Sequence, residues 1–202
     1  MSVVPEPVTL EGRHVRLEPL APAHVERLVV AANEDRATYR FTTVPADIGD
    51  MSDYVERARA ASEAGTELPF ATCSVATGAV VGSTRFLELE QWDGAAVPTV
   101  GEIGYTWLAA SAQRTAINTE AKLLMLGHAF ETWGVHRIHL KTDARNERSR
   151  NAIARLGARF EGVRRAHVPA ADGGIRDSAY YSILAAEWPG VRDGLLRRLA
   201  DV

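Results

Sequence analysis

The middle of the chain constrains the fold most. A strand pattern, VGEIGYTWL over 100–108, precedes a helical pattern, NTEAKLLMLGHAFETWG over 118–134, and a second strand pattern, RIHLKT over 137–142. A helix of that length between two strands carries the chain across a sheet face and back. The two strands are therefore expected to be parallel, joined by a right-handed crossover. Gly134 is the expected helix stop.

The flanking segments read as a mostly antiparallel sheet with helices. Residues 14–20 alternate Val15 and Leu17 with charged neighbours, as in a half-buried strand. Pro22 opens a helical run that buries Val25, Leu28 and Val29. Residues 41–50 read as a loop, with Ser52 or Asp50 capping a short helix through Tyr54, Val55 and Ala58. Strands over 68–76 and 79–89 meet at Thr77–Gly78, and 91–99 is a polar loop. A second helix over 146–157, strands over 158–168 and 176–185, and an amphipathic tail helix over 187–200 complete the pattern. The expected class is α+β: a mixed sheet with one parallel βαβ crossover, helices on both faces, and one domain over 1–202 with the tail helix as an extension.

Composition removes several function classes. Cys73 is the only cysteine, so neither an intrachain disulfide framework nor a cysteine zinc site is available. The 23 Lys+Arg and 26 Asp+Glu give a net charge of −3, which argues against nucleic-acid binding through a whole-protein field. No stretch approaches the ~20 apolar residues of a membrane span. The start, MSVVPEPVTLEGRHV, lacks the pattern of a secretory leader, so a cytoplasmic location is expected. There is no H-E-x-x-H, G-x-S-x-G, Walker or G-x-G-x-x-G motif. His136 and His139 are expected to face opposite sides of a strand start, and Cys73 to be a small buried hydrophobe.

Three places remain for chemistry. The loop QRTAINTEAK, 113–122, joins a strand's carboxyl end to a helix amino end, where free N–H groups and the helix dipole favour anions. Arg114 adds charge there. Asn118 or Thr119 either caps the helix or contacts a phosphate, and Glu120 suits the helix dipole. On the second helix, Asn146 and Ser149 share a face with Ile153 and Leu156. Either they line a cleft, or Asn146 caps the helix and Ser149 bonds back to the backbone. On 100–108, period two sets Ile103, Tyr105 and Trp107 in the core and Glu102, Gly104 and Thr106 opposite. Glu102 is then a surface residue or a carboxylate beside a cavity that Gly104 leaves open. The basic run Arg145, Arg148, Arg150, Arg155 and Arg159 neighbours the anion loop.

The order VGEIGYTWL, QRTAIN, TEAKLLMLGHAFE, RIHLKTDA, NERSRNAIARLGARFEGVRR resembles the GNAT superfamily of acetyl-CoA-dependent N-acyltransferases, most closely its RimJ/RimL-like branch. The resemblance runs from about 14 to 185. It is most specific in the block Asn146-x-x-Ser149-x-x-Ala152-Ile153, continued by Leu156-Gly157 and Phe160-Glu161-Gly162. It implies that residues 113–118 (Gln113, Arg114, Thr115, Ala116, Ile117, Asn118), with Thr119, hold the CoA pyrophosphate. Asn146 then meets the pantetheine arm, with Arg150 beside the anion site. Ser149 lies near the thioester sulfur, and Glu102 is the general base. Trp107 and Leu108 mark the splayed strand end whose N–H receives the oxyanion. The loop departs from the family pattern: Ala116 stands at the usual glycine, and Asn118 at a usual small residue. Ala116 fits if its φ is negative, and Asn118 itself can reach a phosphate oxygen. The implied reaction is acetyl transfer to a primary amine, a protein N-terminus or a small molecule, without metal, nucleic acid or membrane. Oligomeric state, including a homodimer, is left open. An inactive acyl-CoA-binding sensor and a nucleotide- or phosphosugar-binding domain are the competing readings.

Overall fold

The structure, a computed structural model, describes residues 5–201. Strands β1 (Leu10–Glu11), β2 (Val15–Pro19), β3 (Leu68–Ser74), β4 (Val80–Glu90), β5 (Val100–Leu108), β6 (Arg137–Asp143), β7 (Arg159–Pro169) and β8 (Ile175–Leu184) form one eight-stranded sheet. Their order is β1-β2-β3-β4-β5-β6-β8-β7, and among these pairs only β5–β6 is parallel. The helices are α1 (Val25–Ala32), α2 (Ile48–Glu63), α3 (Ala116–Gly127), α4 (Glu147–Arg155) and α5 (Trp188–Ala200). α1 and α2 pack on β3 and β4, while α3 carries the β5-to-β6 crossover and packs against α5. The α+β class with one parallel crossover is as the patterns predicted. Every residue of β3 is buried, because helices cover this part of the sheet on both sides. No described helix is long and apolar enough to cross a membrane.

Pro22 opens a helical run as expected, whereas α2 and α3 start earlier than expected because another residue supplies the cap. Pro22 begins a 3₁₀ turn, Pro22–His24, which runs on into α1; Val25 and Leu28 are buried and Val29 is half-buried. α2 starts at Ile48 inside the expected loop. Asp47, not Ser52 or Asp50, is its cap and accepts the Asp50 N–H at 2.9 Å. α3 starts two residues before Asn118, capped by Thr115, whose Oγ1 accepts the Ile117 N–H at 3.3 Å. Its last turn, His128–Trp133, widens to π-helical spacing before Gly134 stops it at φ 69°.

Glu120 does more than complement a dipole. Its buried carboxylate accepts the backbone N–H groups of Arg13, His14 and Val15 at 2.9, 2.6 and 2.9 Å, pinning the β1–β2 turn onto α3. Gly12 leaves the space that this carboxylate fills. Cys73 is buried as expected, and burial pushes its thiol up to about 11.

β5 carries a bulge that the period-two reading missed. Ser83 lies opposite Trp107 and Arg85 opposite Gly104, so between these pairs the single β4 residue Thr84 faces two of β5, Tyr105 and Thr106. Tyr105 takes φ 49° at the bulge and is 56% exposed rather than in the core. The extra residue also inverts the alternation. Ile103 shares a face with Phe86, whereas Trp107 shares the opposite face with Ser83 and meets Tyr39 edge-on at 6.0 Å. Beyond the bulge, β5 leaves its parallel partner. β5 and β6 pair only at Val100–Arg137, Gly101–Ile138 and Glu102–His139, after which the strands splay.

Candidate active site

Glu102 is the last β5 residue in register with β6, and it is 2% exposed. His139 and Lys141, two residues apart on β6, face it. His139 Nε2 lies 3.2 Å and Lys141 Nζ 2.6 Å from Glu102 Oε2. Glu88, near the end of β4 at φ 48°, closes the group at 3.1 Å from His139 Nε2 and 2.6 Å from Lys141 Nζ. Gly104 is required by this packing, since a Cβ there would lie 2.6 Å from Glu102 Oε1. Tyr180, on the neighbouring strand, lies stacked beside His139. The expected cavity beside Glu102 is not open: the space that Gly104 leaves is filled by the Glu102 carboxylate itself. Nor is Glu102 a surface residue.

The charges explain each other. Burial alone would lower the His139 imidazole, but Glu102 and Glu88 outweigh it and hold it above its ordinary value. Burial likewise opposes the Lys141 ammonium, and Glu102 first, then Glu88, raises it. Burial would raise Glu88, and Lys141 and His139 hold it below the usual carboxylate value. Two carboxylates against one ammonium and one titratable imidazole make this an attractive end for a cation. Glu88, Glu102 and His139 also present ligand atoms within 4.8 Å of one another, which is metal-compatible spacing. The Lys141 ammonium already supplies the cation between the two carboxylates.

At the other end of the splay lies the loop that leads into α3. The Leu108 carbonyl accepts Tyr39 Oη–H at 3.0 Å and Gln113 Nε2–H at 2.8 Å, which fixes the end of β5 to the loop before α3. Arg114, exposed at φ 61°, takes the left-handed turn. Ala116 is therefore free to be helical, and no glycine is needed there. Ala116 and Ile117 are buried, Thr115 is exposed, and Asn118 and Thr119 are half-buried on the first turn of α3. Tyr39 also lines a cleft of about 450 Å³, together with Arg40, Thr43 and Ala171.

On α4, Asn146 is the cap: its Oδ1 accepts the Ser149 N–H at 3.1 Å. The Ser149 hydroxyl is half-buried and makes no hydrogen bond to another described residue. Arg150 donates to Tyr181 Oη at 3.1 Å and to the Ala144 carbonyl at 3.2 Å, which fixes its position beside the start of α4. Glu34 accepts from Ser111, Asp35 caps the Arg36–Tyr39 turn, and Asp47 caps α2. His139, Lys141 and Glu88 were not found from the sequence. Two β6 residues and one from β4 meet Glu102 only through sheet register, which leaves no local pattern.

A mixed sheet whose single parallel pair opens beyond a buried carboxylate, with a helix amino end facing the gap, defines a class of α+β domains that admit an extended ligand with an anionic end. Within that class the chain belongs to the acetyltransferase (GNAT) domain family, which matches residues 14–159. It is 32% identical over 113 residues to YdaF of Bacillus subtilis (strain 168), named "Putative ribosomal N-acetyltransferase"; the match covers 56% of this chain and 58% of the relative's length. A solved GCN5-related N-acetyltransferase from Brucella melitensis is 32% identical, with a TM-score of 0.84 over 97% of this chain and 87% of that one. Mycobacterium smegmatis RimJ, solved with CoA-disulfide, shares the fold at 23% identity, with a TM-score of 0.81 over 95% of each chain.

Proposed function

We propose that this protein transfers the acetyl group of acetyl-CoA to a primary amine by direct attack in a ternary complex. One observation carries the reading. The gap between β5 and β6 begins at a buried carboxylate and ends at the amino terminus of α3. The unpaired edge of β5 beyond Glu102 offers backbone groups to an extended pantetheine arm, as a strand would. The first turn of α3, with Gln113, Arg114 and Thr115 ahead of it and Asn118 and Thr119 on it, suits the pyrophosphate. The family membership and the CoA bound to the RimJ neighbour support the same placement.

The amine attacks only when neutral, so its proton must leave. Glu102 accepts it, directly or through water. His139 Nε2, 3.2 Å away, and then Glu88 at 3.1 Å offer that proton a way to solvent. The nitrogen bonds to the acyl carbon, and the oxyanion is received by a backbone N–H near Trp107–Leu108. The carbon–sulfur bond then breaks and the proton balance closes on the thiolate as CoA–SH. The Ser149 hydroxyl, with no partner of its own among the described residues, is available to that sulfur. Acceptors include small-molecule amines and protein N-termini; the Bacillus relative is named a ribosomal N-acetyltransferase.

The test is release of free thiol from acetyl-CoA across a panel of amines and peptides, alongside melting temperature with CoA and with NAD. Thiol release and a shift with CoA alone are expected. A folded protein that CoA does not stabilise would overturn the reading. Stabilisation without turnover on any amine would leave a sensor.

A further inference from the structure

One buried charge near the site is only half used. Arg85 on β4 is 4% exposed, and its Nη1 pairs with Glu67 Oε2 at 2.7 Å. Its Nε and Nη2 are also buried, yet have no hydrogen-bond partner among the described residues. Those two nitrogens lie on one edge of the guanidinium, the edge that takes both oxygens of a single carboxylate. The group is sandwiched between the Tyr54 ring at 4.8 Å and the Tyr105 ring at 4.4 Å. Buried donors are nearly always paired, so an unused edge calls for a partner.

Its place in the fold connects it to the reaction. Arg85 lies opposite Gly104 and Leu87 opposite Glu102, so Arg85 and Glu102 share one sheet face, one strand and two residues apart. At strand geometry their backbones are about 8 Å apart. On the solvent side the guanidinium face is covered by Tyr105, the 56% exposed bulge residue held at φ 49°, a conformation that bulky residues rarely keep.

We propose that Arg85 binds a carboxylate of the acceptor, with Tyr105 swinging aside to admit it. The acceptor is then a small amino acid-like molecule, its amine at Glu102 and its carboxylate on the Nε–Nη2 edge. The inference rests on the acyl-transfer reading and narrows its substrate class. An apolar or purely cationic amine leaves the edge unpaired; an ω-amino acid fills it.

The experiment compares ω-amino acids of three to six carbons with alkylamines of the same lengths, using acetyl-CoA and free-thiol detection. At one length or more the ω-amino acid is expected to show at least a tenfold lower KM, and Arg85→Gln is expected to close that gap. Equal KM values in the parent, or a gap that survives Arg85→Gln, overturn the proposal. Calorimetry gives a second readout that needs neither variant nor turnover. 5-Aminopentanoate should bind the CoA-saturated protein at least tenfold more tightly than pentylamine, and equal binding overturns the proposal. If both amine classes are acetylated without preference, only this inference fails. If no amine is acetylated but the binding preference holds, only the acyl-transfer reading fails.

Discussion

Replacing Lys122 with methionine should make this protein more stable at neutral pH. Lys122 lies on α3 at 3% exposure with no carboxylate partner among the described residues. Its Nζ donates to Thr84 Oγ1 at 3.0 Å and Thr106 Oγ1 at 2.8 Å. Burial lowers its pKa from 10.5 to about 7. At 1.36 kcal/mol per unit, that shift corresponds to about 5 kcal/mol against folding once both states are protonated. Between about pH 7 and 10.5 the unfolded chain holds the proton and the folded one does not. Stability therefore rises with pH across that window and falls as pH drops towards 7. Methionine has a similar volume and nothing to ionise. It forfeits two hydrogen bonds of about 1 kcal/mol each, while Thr84 and Thr106 keep each other at 2.8 Å. The expected net gain is about 2–3 kcal/mol at pH 7, shrinking to nothing by pH 9. Urea denaturation of both proteins at pH 7, 8 and 9 reads it directly, and other titrations cancel in the difference. A variant no more stable at pH 7, or a difference that does not change with pH, refutes the reasoning.

Four further outcomes follow from the geometry. Glu102→Gln keeps shape and removes basicity, so turnover should fall roughly 10²–10⁴-fold, with the loss shrinking as pH rises; a parental pH–rate profile would make Glu102 structural. Ser149→Ala should lower turnover while leaving CoA affinity by calorimetry nearly intact, and parental turnover would return Ser149 to a structural role. Glu120→Ala strands three backbone N–H groups and should destabilise by about 3 kcal/mol in denaturant melts; a loss under about 1 kcal/mol would mean water replaces the carboxylate. His139 is held above its ordinary 6.5 by Glu102 and Glu88 against burial. Its pairing therefore adds stability that is whole below pH 6.5 and lost as pH rises through the raised folded value. His139→Asn should remove that part of the stability curve, and superimposable curves would contradict it.

Periodicity, turn residues and glycine stops are local. They were enough to delimit β5 over Val100–Leu108, the crossover helix ending at Gly134, and the hairpin at Thr77–Gly78. The same local rules made Asn146 a possible cap, which holds, but they left Glu102 either on the surface or beside a cavity, whereas its own carboxylate fills the space at Gly104. They failed wherever one residue's position depends on a distant partner. The bulge at Tyr105 shows only in the register against β4, and that single extra residue moved Trp107 to the face opposite Ile103. Lys122 and Glu120 read as ordinary charges on a helix. Tertiary packing buried one against two threonines and gave the other three backbone donors from a turn more than a hundred residues away. His139, Lys141 and Glu88 became neighbours of Glu102 because parallel pairing stops there and β4 bends in above it. The chain by itself determined which segments are strands and helices, since those energies act between residues a few positions apart. Which charges meet, and which donors are left waiting for a ligand, was decided only when the sheet closed, because such contacts depend on register and burial that no local segment encodes.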